Sequence, residues 1–336
     1  MGGIEVNDRV ISLLDHYDIQ ILRTRKGRGA ILCDTEKGCL IFKEYTESPG
    51  RVCIQNKILE TLSNKIDFPV EAIMKSKEDG LLTEDQDGKK YILKTFFESR
   101  ECNINDEEEC REAVKCLAYL HNSMCLSPED VQKYDLSAFS VQKEFDKHNR
   151  ELKKVSRYLH EKSQKSLFEN TLLQNYDYYL NQALEIAEEW KEFVCESDLE
   201  YIKQQGMFCH GDYQYHNIIK TGKSMAIINF ERCILDNPAR DLCLFMRKLL
   251  EKNNWSEKLG DSLLNTYNSI RPLSARSFVE LYYRLYYPEK FWKIVNFYFN
   301  SRKSWIPEKN REKLQILFSQ EKEKQIFLDS VFRTIH

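Results

Sequence analysis

At 336 residues the chain is long enough for about two domains. With 42% apolar and 31% charged residues it is a folding sequence, which excludes wholesale disorder. Fifty basic against 53 acidic residues, a net charge of −3, lack the basic excess of a nucleic-acid-binding domain. No apolar run approaches the roughly 18 residues needed to span a bilayer. The start, Met1-Gly2-Gly3-Ile4-Glu5, is expected to carry no export signal, and without Ser or Thr at position 6 no myristoyl group. Eleven cysteines with no C-x-x-C pair point to mostly buried thiols in a reducing compartment.

In chain order, Ile19-Gln20-Ile21-Leu22 reads as a strand and Lys26-Gly27-Arg28-Gly29 as a tight turn. Ala30-Ile31-Leu32-Cys33 is a second strand, Glu36-Lys37-Gly38 a turn, and the run from Cys39 to Tyr45 a third strand. Val52, Gln55, Leu59 and Leu62 recur at helical spacing over 51–63, and Asp67-Phe68-Pro69-Val70 breaks that helix. Strands at 80–83 and 91–97 flank a Gln86-Asp87-Gly88 turn. The prediction is a small, mostly antiparallel sheet carrying one helix.

Beyond Glu98 the pattern turns helical. Asn105 with Glu108 resembles a capping box, and Cys110, Ala113, Val114, Leu117, Ala118 and His121 mark one helical face. Residues 141–160 and 168–195 read as long charged helices. In the second, a stripe from Leu173 through Tyr176, Ala183, Ala187 and Trp190 to Val194 reads as core. Short strands at 207–209 and 225–228 flank a polar loop. Residues 242–246 read as an apolar helix, and Pro288 opens another. The expected organisation is an N-terminal lobe, 1–97, and a helical lobe, 98–336.

The segment His210-Gly211-Asp212-Tyr213-Gln214-Tyr215-His216-Asn217, followed by Ile227-Ile228-Asn229-Phe230-Glu231, is the most informative. Phosphoryl transfer needs a carboxylate to orient a hydroxyl and accept its proton, which Asp212 can do. It also needs hard oxygen ligands for magnesium, which Asn217 can supply. A second metal ligand is expected at the end of the next strand, where Asn229 stands. Upstream, Lys43 on the third strand can reach nucleotide phosphates, and the Gly27/Gly29 turn could cover them, although glycines also mark any hairpin.

These residues resemble the aminoglycoside phosphotransferase and choline kinase superfamily, with its protein-kinase-like fold. Its H-G-D-x-x-x-x-N loop corresponds to 210–217, and Asp236-Asn237-Pro238-Ala239-Arg240-Asp241 looks like the segment after its metal loop. Within it the chain looks most like CotS-type spore coat proteins, on the segment from Leu285 to Val295 ending near Trp305-Ile306-Pro307. The resemblance implies a two-lobed α+β fold binding ATP and magnesium. Asp212 would be the catalytic base and His210 a brace for its loop. Asn217 would be a metal ligand, Lys43 a phosphate contact, Thr95 to Phe97 the adenine hinge, and Asp241 a support for the loop. It also implies a mother-cell cytoplasm and later the spore coat, with other coat proteins as partners.

Two positions depart from the active pattern. The helix slot that normally carries a glutamate paired to the strand lysine holds Gln55; Glu60 lies about one and a half turns away. The normal metal-binding Asp is Asn229, a poorer magnesium ligand, which Glu231 could replace if the strand persists, since i and i+2 share a face. Two readings stand. One is a degenerate kinase fold acting as a binding or structural coat component. The other is an ATP- and magnesium-dependent phosphotransferase acting on a small hydroxyl-bearing molecule. A protein kinase is disfavoured, because the chain passes from Asp241 straight into an apolar helix. The tyrosines and tryptophans of 278–305 could line a sugar or amine pocket, dock a coat protein, or fill the core.

Overall fold

Alternating apolar residues build the first sheet, whose inner face carries Ile31, Cys33, Leu40, Phe42, Tyr91 and Leu93. Its strands are β1 (Ile21–Gly27), β2 (Ala30–Thr35), β3 (Gly38–Glu44), β4 (Thr83–Glu84) and β5 (Lys90–Thr95). They run antiparallel in the order β1-β2-β3-β5-β4. The computed structural model describes residues 11–27, 29–222, 224–301 and 308–333. Leu13, Leu14 and Tyr17 complete this core, with Phe42 stacked on Tyr91 at 5.3 Å between ring centroids.

The fold is α+β with an antiparallel sheet and many helices. The first strand begins at Ile21 rather than Ile19 and runs to the hairpin, whose Arg28 lies outside the described residues. The strand expected at 80–83 shrinks to Thr83–Glu84. Helix α1 (Pro49–Ser63) starts on a proline, which suits the first turn because its missing N–H would be unbonded there. Helix α2 (Glu107–Ser123) is capped by Asp106, not Asn105; its carboxylate accepts from the Glu108 and Glu109 N–H groups. Helix α3 spans Pro128–Lys133.

The chain divides into two compact units, Met1–Leu136 with Gly206–Ile234, and Ser137–Gln205 with Leu235–His336. This differs from the expected division at 97/98. The reason lies in β6 (Arg100–Glu101), β7 (Phe208–Cys209), β8 (Ile218–Thr221) and β9 (Ser224–Ile227). β8 pairs with both β6 and β9, and Ile227 bonds to Pro69 and Glu71, so the polar loop is built into the first unit.

The second unit holds α4 (Val141–Glu161), α5 (Leu167–Leu173), α6 (Tyr176–Phe193), α7 (Glu196–Gln204), α8 (Ala239–Lys252), α9 (Glu257–Asn268), α10 (Ala275–Tyr286), α11 (Glu289–Asn300), α12 (Glu308–Ser319) and α13 (Glu321–Val331). The single helix expected over 168–195 is broken between Leu173 and Tyr176; a Ser166–Glu169 capping box opens the first piece.

The aromatic segment is mostly core. Tyr287 stacks on Phe145 at 4.1 Å and donates to Asn149, and Phe291 is fully buried. Tyr283, Tyr286, Trp292 and Tyr298 pack half-buried against the same cluster, while Phe297 is exposed. Trp305 lies outside the described residues.

Candidate functional site

Antiparallel register sets the first part of the site. Ala30 lies opposite both Gly27 and Lys43, so the glycine hairpin and Lys43 share one end of the sheet. Gly29 adopts a left-handed φ of +68° at the hairpin tip. Lys43 pairs with Ile92, and Lys94 with Ile41, so period-2 alternation puts both lysines on one sheet face.

The second part is built where β9 ends. The Ile227 N–H donates to the Pro69 carbonyl at 3.0 Å, and the Glu71 N–H to the Ile227 carbonyl at 3.0 Å. Asn229 then takes a left-handed conformation, φ 66°, which asparagine tolerates better than most side chains. The chain turns there, and the N–H groups of Asn229 and Phe230 both donate to the Glu71 carboxylate, at 2.8 and 2.9 Å. The strand does not persist to Glu231, so the i, i+2 route to metal binding fails; Glu231 sits in a 3-10 turn, Phe230–Arg232.

Two ammonium groups converge on this turn. Lys94 Nζ lies 2.7 Å from Glu71 Oε2 and 2.6 Å from Glu231 Oε1, with Asn229 Oδ1 at 3.5 Å. Lys43 Nζ lies 2.7 Å from the same Glu231 oxygen and 3.5 Å from Asn229 Oδ1. Burial alone would lower the Lys94 pKa, but the Glu71 and Glu231 carboxylates outweigh it and raise it, so the amine stays charged. For Glu231 burial works upward, while Lys94 and Lys43 overcome it and hold the carboxyl down at about 2.

A depressed carboxyl stabilises the fold above its unfolded pKa, near 4.5, and loses that contribution as pH falls towards 2. Glu231→Gln is therefore expected to be less stable than the wild type at neutral pH by roughly 3 kcal/mol. By about pH 3 the gap should halve. Urea unfolding at both pH values checks this; an unchanged gap would mean that the ion pairs are not its source.

The catalytic-type loop is held by its own backbone. The buried His210 accepts the Asp212 N–H on Nδ1 at 3.2 Å, leaving Nε2 to donate to the Ile228 carbonyl at 2.9 Å. Asp212 accepts from the Gln214 side chain through Oδ1. Asn217 Nδ2 donates to the Asp212 carbonyl at 2.8 Å and to Asp212 Oδ2 at 3.3 Å. Because both of those atoms only accept, Asn217 must turn its Oδ1 the other way, where Asn229 Nδ2 donates to it at 2.9 Å. Asn229 in turn presents its Oδ1 to the two lysines, which only donate.

That chain of bonds tests the magnesium site. The Asn217 and Asn229 oxygens already accept from protein donors, and Glu231 Oε1 already meets two ammonium groups. Magnesium prefers free, hard carboxylate oxygens in near-octahedral array. The residues present do not fit it.

The structure thus gathers Lys43, Asp212, Asn217, Asn229 and Glu231 into one hydrogen-bonded group. Gln55 is buried, but it donates to Glu71 at 3.2 Å, and the carboxylate beside Lys43 is Glu231 rather than a residue of α1. Glu60 faces Asn56 and Lys75 at the surface. At the expected hinge, the Thr95 N–H donates to the Ala72 carbonyl and the Phe96 N–H to that of Cys39, while the Phe97 carbonyl accepts from Ser99. Asp241 is buried in the first turn of α8. Lys94, Glu71 and Gln214 were not anticipated. A lysine inside the buried run Tyr91-Ile92-Leu93-Lys94 was the available signal for the first; nothing in sequence marks Glu71.

A lysine-bearing antiparallel sheet joined to an H-G-D-x-x-x-x-N loop defines a protein of the kinase-like phosphotransferase fold. Aminoglycoside phosphotransferase from Alicyclobacillus acidocaldarius subsp. acidocaldarius DSM 446 superimposes with a TM-score of 0.81 at 18% identity, covering 100% of this chain and 98% of that one. Spectinomycin phosphotransferase, in a structure with ADP and spectinomycin, gives 0.69 at 15% identity over 96% and 100%. The chain belongs to the family described as "Spore coat putative kinase YutH", which it matches over residues 11–331. Spore coat protein S of Bacillus subtilis (strain 168) is 23% identical over 326 residues, 94% of this chain and 90% of that protein. Among the described residues no helix is long and apolar enough to cross a membrane.

Proposed function

We propose that this member of the spore coat family keeps the nucleotide pocket of its fold but does not use it for metal-assisted phosphoryl transfer. It acts in the coat as a binding or structural component. The observation that carries this reading is the Asn229 amide, which donates to Asn217 where an anionic metal ligand is expected. ATP would bind between the Gly27/Gly29 hairpin and the Thr95–Phe97 strand end, with Lys43 on its phosphates. Partners would be other coat proteins, met after synthesis in the mother-cell cytoplasm.

The second reading, a small-molecule phosphotransferase acting on a sugar- or amino-alcohol-like hydroxyl, draws support from the intact Asp212 and its ordered loop. One assay separates the two. With labelled ATP, magnesium and a panel of sugars, amino alcohols and aminoglycosides, the wild type is expected to transfer no more phosphate than Asp212→Asn. The non-hydrolysable analogue AMP-PNP should still raise the melting temperature, because it binds only the native state. Transfer that depends on Asp212 would replace the binding reading with the enzymatic one.

A further inference from the structure

We infer that the Lys94 ammonium is the resident cation of this site and stands in for the divalent ion, so that a nucleoside di- or triphosphate binds here without metal. The inference rests on the nucleotide-pocket reading above and deepens it. Lys94 Nζ is surrounded by oxygens of three residues, Glu71 Oε2 at 2.7 Å, Glu231 Oε1 at 2.6 Å and Asn229 Oδ1 at 3.5 Å. Two come from the turn after β9, where the fold would otherwise recruit a metal. The third, Glu71, also accepts the N–H groups of Asn229 and Phe230, so the same carboxylate fixes both the turn and the ammonium.

The two lysines are not equivalent. The Lys94 side chain is 1% exposed and lies between two carboxylates, so it has nowhere else to place its charge. The Lys43 side chain is 27% exposed and meets the Glu231 carboxylate, with Asn229 Oδ1 at 3.5 Å. An arriving phosphate can therefore draw Lys43 away while Lys94 stays in contact with both Glu231 and Glu71. Each carboxylate then still has an ammonium within 2.7 Å, which lessens the repulsion of the phosphate that a metal would otherwise screen. A divalent ion entering the turn would instead meet an ammonium that cannot leave.

Calorimetric titration of AMP-PNP into the full chain, in EDTA and in magnesium, tests this. The wild type is expected to bind with affinities within about twofold of each other in the two buffers. Lys94→Met should weaken binding in EDTA about tenfold and recover part of it in magnesium. If that variant does not fold, Asn229→Asp serves: its added carboxylate exceeds what the lysines neutralise, so binding should become about tenfold tighter with magnesium.

Wild-type binding that requires magnesium would overturn the inference and leave the nucleotide-pocket reading standing. Lys94→Met with full affinity in EDTA, or Asn229→Asp indifferent to magnesium, would overturn it too. No AMP-PNP binding in either buffer would remove both.

Discussion

Lys94→Met is expected to lower the melting temperature by roughly 5–12 °C, from a loss of about 3–5 kcal/mol. Removing one partner of a buried ion pair leaves the other charge without water or counterion; here Glu71 loses its ammonium, while Glu231 keeps Lys43. Glu71 is as buried as Lys94, and Glu231 is nearly so. Glu71 also accepts from the Asn229 and Phe230 N–H groups and the Gln55 amide, so losing its ammonium disturbs the turn as well. Lys94→Met with Glu231→Gln should recover part of the loss, because Glu71 then no longer faces a second carboxylate across the vacated ammonium position. Circular dichroism melts of the wild type, both single variants and the double variant check this. A double variant whose loss equals the sum of the singles would deny any coupling between the two residues.

Gly211→Ala is expected to cost about 2–4 kcal/mol and to displace Asp212. Gly211 has φ +79°, where an L side chain is strained, and a Cβ there would stand 2.0 Å from the Arg232 carbonyl oxygen. That contact is with backbone, so the loop itself must move. Gly29→Ala separates strain from space: φ is +68°, yet nothing lies within 4 Å of its Cβ. Its cost should be only the conformational one, about 1 kcal/mol. Urea unfolding of both variants reads the difference; equal losses would mean that the Arg232 contact is relieved at no cost.

The parts of the site that were legible are those held by local chain. Asp212 and Asn217 sit on one loop at a spacing that chemistry requires, and their shared hydrogen bonds span five residues. Lys43 was legible because β3 alternates strictly and places it at a strand end. Gln55 was correctly placed on a buried helix face, but its partner was not, because Glu71 comes from an irregular segment beyond the helix. The helix break before Tyr176 was missed because the apolar stripe continues across it, with Leu173 and Tyr176 both packed on one core.

From its sequence alone this chain was determined to be an α+β, kinase-like member of a spore coat family with an H-G-D-x-x-x-x-N loop and an asparagine at position 229. Alternation, turn residues and contiguous motifs carry that information, because each depends on neighbours a few positions away. Only the tertiary structure decided what the asparagine does. Its left-handed turn, its amide on Asn217 and the ammonium of Lys94, 135 residues distant, meet through long-range pairing of strands and loops. A side chain's orientation there is set by which distant groups donate and which accept, and no local pattern records that.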